Sequence, residues 1–271
     1  MNRDDGAKTL ADIGTVAAAL RKLTDDVNAM LNSQHGDVDL FVRPSIAASD
    51  AALNGYRELT NDVLAFANLQ IAAALDHADM LAKWGSAAAA GEPTPVWAPW
   101  SVARSLVELC AAARWLAETP LPTRTRAGRM LSISKRDSLS MIRIGQDESA
   151  KLAGAEDSAK RLGLRSIQNK RGTFLGFGEA TPTFSAQVKA LLSDLEKLEV
   201  YSLLSAASHG EPWAIYVLGY EAVEPDPAAE GGRLAVKKPP AFWIWSALTL
   251  SVIALTNGAR AVSMYRGWVR G

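Results

Sequence analysis

The sequence predicts an all-α protein, a multi-helix bundle with one long N-terminal helix or helical hairpin. Apolar residues recur at helical spacing almost from end to end, and no series of strand-like segments alternates with helices. Prolines and glycines gather in a few places that punctuate long helix-compatible stretches, and there is no internal repeat. With 271 residues, 48% of them hydrophobic and 21% charged, the chain is long enough to bury a substantial core.

The first helix is expected from about Lys8 to Leu31, where Leu10, Ile13, Val16 or Ala17, Leu20, Val27 and Leu31 fall on one face before "NSQHGDVD" breaks the pattern. Pro44 suits a first helical turn, and from there to Ala90 the chain has no proline and a single glycine, Gly55. An apolar stripe passes through Ile46, Leu53, Tyr56, Val63, Phe66, Ala73, Met80 and Trp84. A continuous helix over this stretch would be about 70 Å long. That exceeds a compact domain of this size, so the helix either breaks near Asn54–Gly55 or projects. Residues 1–95 are accordingly expected to form a helical arm, with its long helix at about 44–90, and residues 96–271 the core of the bundle.

"GEPTPVWAPW" reads as a connector, after which Ser101 to Glu118 is apolar on nearly every side and belongs in the centre of the bundle. The basic segment Arg124 to Arg143 carries a less regular apolar face, and a further helix is expected from about Asp147 to Leu162. "RLGLRSIQNKRGTFLGFGEATPTF" is the longest irregular region. Pro182 and Thr183 then start a helix that runs through "SAQVKALLSDLEKLEVYSLLSAASHG". "WAIYVLGYEAV" suits a strand or a helical turn, "EPDPAAEGG" an exposed loop, and about Pro240 to Tyr265 the last helix.

Basic and acidic residues balance at 29 each, so the overall charge favours neither nucleic acid nor membrane as partner. Locally the net charge alternates: −6 over residues 1–123, +7 over 124–171, −7 over 172–230 and +6 over 231–271. Such alternation lets segments of one fold face each other with complementary charge. The single cysteine, Cys110, rules out an internal disulfide and suits a reducing compartment. "MNRDDGAKTLADIG" is acidic where a secretory signal is basic, so a cytoplasmic location is expected. Ala241 to Ala259 is uncharged and close to bilayer-spanning length, but its Ser, Thr, Asn and Gly residues suit a buried core helix better.

The reactive residue types concentrate in two places. His209 ends an apolar helix ahead of Gly210, where it meets the negative end of the helix dipole and suits a C-terminal cap. Ser205, four residues earlier, lies on the same face, yet no G-x-S-x-G elbow is present to make it a nucleophile. In the central helix Arg104 and Glu108 stand four apart, as do Arg114 and Glu118, a spacing that pairs the charges and fixes helix register. A buried Arg near a His could also stabilise charge on a phosphate. His77 fits a core or interface position, because "DHADM" lacks the paired histidines of a helical zinc site, and His35 falls in a loop. Gly172, Gly176 and Gly178 match no phosphate-cradling spacing, so no cofactor and no metal is expected.

The segments "ARSLVELCAAARWLAE", "RTRAGRML" and "YSLLSAASHG" together resemble a group of uncharacterised, mostly actinobacterial all-helical proteins, with an Arg-x-x-x-Glu helix and a Tyr-x-x-x-Ser-x-x-x-His-Gly motif. More distantly the pattern is similar to the HEPN-type helical bundles of toxin–antitoxin and phage-defence systems. That resemblance covers roughly Trp100 to Trp213 and implies a HEPN-like core and a homodimer. HEPN ribonucleases place an Arg four to six residues before a His on one helix, whereas Leu203 to Ala207 here include none. An arginine would have to come from another helix, with Arg104 or the Arg124 to Arg129 group as candidates. The expectation is thus a self-associating, non-catalytic binding or regulatory protein of the bacterial cytoplasm, linked to defence or stress. The alternative is a divergent, metal-independent HEPN-like ribonuclease or an RNA-binding protein. Its candidate catalytic residues are His209, Arg104, Glu108, Tyr201 and Ser205. Its candidate RNA-binding residues are Arg124, Arg126, Arg129, Lys135 and Arg136.

Overall fold

A computed structural model describes residues 3–32, 45–192, 198–222, 234–236 and 241–267. Helices dominate: α1 (Arg3–Asn32), α2 (Ile46–Ala52), α3 (Arg57–Ala89), α4 (Ala98–Ala117), α5 (Thr123–Arg143), α6 (Ser149–Arg161), α7 (Phe184–Leu191), α8 (Leu198–Ser208), α9 (Pro212–Gly219) and α10 (Ala241–Arg266). Two antiparallel hairpins accompany them, β1 (Ser166–Gln168) with β2 (Phe174–Phe177) and β3 (Tyr220–Ala222) with β4 (Leu234–Val236). The all-α class therefore holds, with two small sheets added.

The stretch expected as one 44–90 helix is divided. Ser45 caps α2, its hydroxyl accepting from the Ala48 N–H at 3.0 Å. The chain turns at Leu53 to Tyr56, where Gly55 takes φ +83°, a conformation natural to glycine alone. The buried face of α3 also differs from the expected stripe: Val63, Ala67, Ile71, Ala74, Ala78 and Leu81 are inside, while Met80 is 54% exposed. Small alanines in a helix this rich in them define the inner face as firmly as large residues do, and a pattern read from large residues alone misplaces it. Of the expected loop at 32–39 only Asn32, the last residue of α1, is described; the rest of it with His35, Pro44 and the expected loop at 224–232 lie outside the described residues.

The chain forms two compact units, each drawn from three stretches. The first comprises residues 1–33, 71–111 and 188–258, and the second residues 34–70, 112–187 and 259–271, so the expected arm of residues 1–95 contributes to both. In the first unit Gly258 allows α10 to lie directly on α4: a Cβ there would stand 2.9 Å from the Cys110 Cβ. Trp84 packs edge-on against Trp100 at 5.3 Å, and its indole N–H donates to the Pro95 carbonyl at 3.2 Å, which fixes the connector between α3 and α4.

In the second unit α5 packs on α6 and on the β1–β2 hairpin. Gly128 makes the second contact possible, since a Cβ there would come within 2.7 Å of the Phe177 carbonyl oxygen. Ser132 accepts from the Phe177 N–H at 2.8 Å and donates to the Gly128 carbonyl at 2.6 Å. Leu131, Ala155, Ala159 and Phe177 form the small core beneath. The glycine-rich segment expected to be irregular is thus an ordered hairpin whose strands, three and four residues long, are too short for a period-two pattern to show.

Candidate functional site

α8 ends in a paired hydrogen-bond arrangement that consumes its last carbonyls. The Gly210 N–H donates to Ala207 at 3.1 Å and the Glu211 N–H to Ala206 at 2.9 Å, with Gly210 at φ +70°. His209 therefore sits at the helix terminus with its ring exposed. Trp213 does not seal it, being itself 52% exposed.

What the ring meets is Arg104, 105 residues earlier and on α4. Arg104 Nη1 lies 3.0 Å from His209 Nε2. A guanidinium only donates, so Nε2 is the acceptor in this contact. Behind the pair stands Glu108, one turn along α4, whose Oε1 accepts from Arg104 Nε at 2.8 Å and from the Tyr201 hydroxyl at 2.9 Å. Tyr201 is buried on α8, and Arg104 and Glu108 keep about a fifth of their side-chain surface in solvent, 21% and 19%. Desolvation pulls the Arg104 guanidinium down, and the hydrogen bond and charge of Glu108, with Tyr201, more than offset it, so the group is held above its ordinary value.

Four of the five expected catalytic residues thus form one chain of hydrogen bonds, Tyr201 to Glu108 to Arg104 to His209. Ser205 does not join it through its hydroxyl; its carbonyl accepts the His209 N–H at 3.1 Å. Chemically the arrangement is a cation oriented by a carboxylate and flanked by an exposed imidazole.

The basic residues of α5 have different surroundings. Arg126, 1% exposed, pairs with Asp50 and donates to the carbonyls of Leu116 at 3.1 Å and Glu118 at 2.9 Å. Arg129 pairs with Glu179 at 2.5 Å and Glu118 at 3.3 Å and donates to the Trp115 carbonyl. Lys135 pairs with Glu156 at 2.5 Å over the rings of Phe174 and Phe177, and Arg136 donates to the Leu175 carbonyl at 2.8 Å. Asp50, Glu118 and Glu179 come from the flanking segments of negative net charge, whereas Glu156 belongs to the same basic segment as Lys135. Arg124 is the exposed one, with a single hydrogen bond to the Gly163 carbonyl at 2.6 Å.

Sequence reasoning missed Asp50, Tyr265 and Glu179, which complete these networks across long sequence separations and share no motif with their partners. Among the described residues no three His, Cys, Asp or Glu side chains are grouped to hold a metal ion. α10 is long and apolar enough to cross a membrane by length and composition, and half of its most apolar window is buried.

Comparison of the chain with protein-family models, with curated proteins and with solved structures finds no match.

Proposed function

We propose that this protein is a non-catalytic binding or regulatory protein that recognises a phosphate-bearing ligand, RNA foremost, at the Arg104–His209 edge. The observation that carries this reading is the 3.0 Å contact between Arg104 Nη1 and His209 Nε2 at the surface, with the guanidinium held from behind by Glu108. A fixed cation spends little conformational entropy on capturing an anion. The imidazole's lone pair is occupied by Arg104, which suits a neighbouring donor to the ligand and withholds the group that a general base needs.

The test is titration of the full chain with a short single-stranded RNA at several salt concentrations, with strand integrity followed in the same samples. Binding that weakens steeply with salt, leaves the strand intact and is lost in Arg104→Gln supports the reading. Equal binding by wild type and Arg104→Gln overturns it.

A second reading, a divergent HEPN-like ribonuclease of a self-associating helical protein, is favoured by one observation. α4 supplies to the histidine an arginine that the HEPN pattern takes from the histidine's own helix. RNA cleavage that disappears in a folded His209→Ala variant would put this reading in place of the first.

A further inference from the structure

The glycine hairpin and the start of α5 enclose a cleft of about 350 Å³ within the second unit, well separated in kind from the Arg104–His209 edge. Leu164 and Ile167 give it an apolar floor, and Arg124, Arg165 and Glu179 also line it. The hairpin's close approaches shape it. Gly163 ends α6 at φ +64° with its carbonyl bound by Arg124, and Gly178, at φ +76°, leaves a Cβ position only 3.3 Å from Leu164.

The charge of the cleft is unambiguous in sign. Glu179 is paired with Arg129, whose Nε donates to its Oε1 at 2.5 Å and whose Nη1 also reaches Glu118 at 3.3 Å, so the two arginines of the lining outweigh its one carboxylate. Arg165 is exposed and forms no side-chain hydrogen bond or ion pair among the described residues, and Arg124 forms only the one that orients it. α5 begins beside the cleft, at Thr123, and its first turn contributes Arg124 and Thr125 to the lining. Two cations fit a phosphate. A bare phosphate would leave the apolar floor uncovered, and 350 Å³ is at the lower end of the size of small-molecule sites, about 300–1,000 Å³.

We infer that this cleft binds a phosphate monoester carried on a planar ring, the chemistry of a nucleoside monophosphate, with the phosphate between Arg124 and Arg165 and the ring on Leu164 and Ile167. Glu179 Oε2 faces the bound ligand and accepts from a sugar hydroxyl or an exocyclic amine. The same chemistry occurs free in solution and at the 5′ end of a nucleic-acid strand. This inference is independent of the Arg104–His209 reading.

Isothermal titration of the full chain with AMP, adenosine, inorganic phosphate and a 5′-phosphorylated dinucleotide tests it. AMP is expected to bind about tenfold or more tightly than either adenosine or phosphate, because each lacks one half of the recognition. Arg165→Gln should lower AMP affinity by about tenfold without moving the melting temperature, since a charged hydrogen bond to ligand is lost and no internal contact is. In an Arg104→Gln background, which removes the phosphate contact of the other edge, binding of AMP at this cleft and its dependence on Arg165 should remain, which separates the two sites. Tighter binding of the dinucleotide than of AMP would assign the cleft to strand ends, and the reverse order to free nucleotides. Absence of AMP binding, equal affinity for AMP and phosphate, or indifference to Arg165→Gln overturns the inference.

Discussion

The Tyr265 hydroxyl donates to Asp50 Oδ2 at 2.9 Å, closing the second unit between residues 215 positions apart. The same carboxylate accepts from Arg126 and from the Thr123 hydroxyl, and the Arg126 guanidinium stacks on the Tyr265 ring, 4.2 Å from its centroid. Asp50 is 4% exposed, yet its charge is matched by a cation and both its oxygens are bound. Burial is tolerable under those conditions only.

Removing single members of this network should therefore cost very different amounts. Asp50→Ala strands the Arg126 cation in the interior and should lower stability by about 3–5 kcal/mol. Tyr265→Phe keeps the ring under the guanidinium and leaves Asp50 two donors, so its cost should be about 0.5–1.5 kcal/mol. Chemical denaturation of both variants measures the order, and equal losses would refute it.

Glycine positions with different surroundings should respond in opposite directions to the same added methyl. Gly258→Ala forces a Cβ to within 2.9 Å of Cys110, between two packed helices, and should destabilise by about 1–3 kcal/mol. Gly154→Ala lies inside α6 with open space around it and should stabilise by about 0.5–1 kcal/mol. Melting temperatures of the two variants should fall on either side of wild type.

Asp62 on α3 gives a pH signature. Desolvation and the Glu58 charge four residues earlier push its carboxyl above the usual carboxylate range. A carboxyl raised in the folded state contributes stability below its unfolded pKa and loses that contribution as pH rises through the folded one. Asp62→Asn should thus be more stable than wild type at neutral pH by a few tenths of a kcal/mol, about the size of a like-charge pair one helical turn apart. The difference should vanish once acid has protonated the carboxyl. A gap that persists at low pH would trace to something other than this charge.

The helices were largely legible because their ends carry local signals: Gly55 between α2 and α3 and Gly210 after α8 each act through the adjacent backbone, although the cap of α2 is Ser45 and not the proline before it. The Arg104–Glu108 pair was legible for the same reason, being one helical turn apart. Its junction with His209 was not, since only the packing of α4 on α8 brings them together. The basic run of α5 was misleading in a simple way. A count of charges does not distinguish Arg126, enclosed by Asp50 and two carbonyls, from Arg124, which faces solvent. The β1–β2 hairpin escaped notice because its glycines serve close backbone approach instead of a recurrent motif, and contact distances leave no spacing rule in the sequence.

The seating of α10 on Cys110 through Gly258 gives the protein a built-in clock. Cys110 is fully buried, and burial pushes its thiol well above the usual range, so a thiol reagent has neither access nor a thiolate to attack while the helices stay together. Every labelling event then counts one opening of that helix pair. The speed of modification in native buffer reads the frequency of that opening when the reagent is fast and its equilibrium when the reagent is slow.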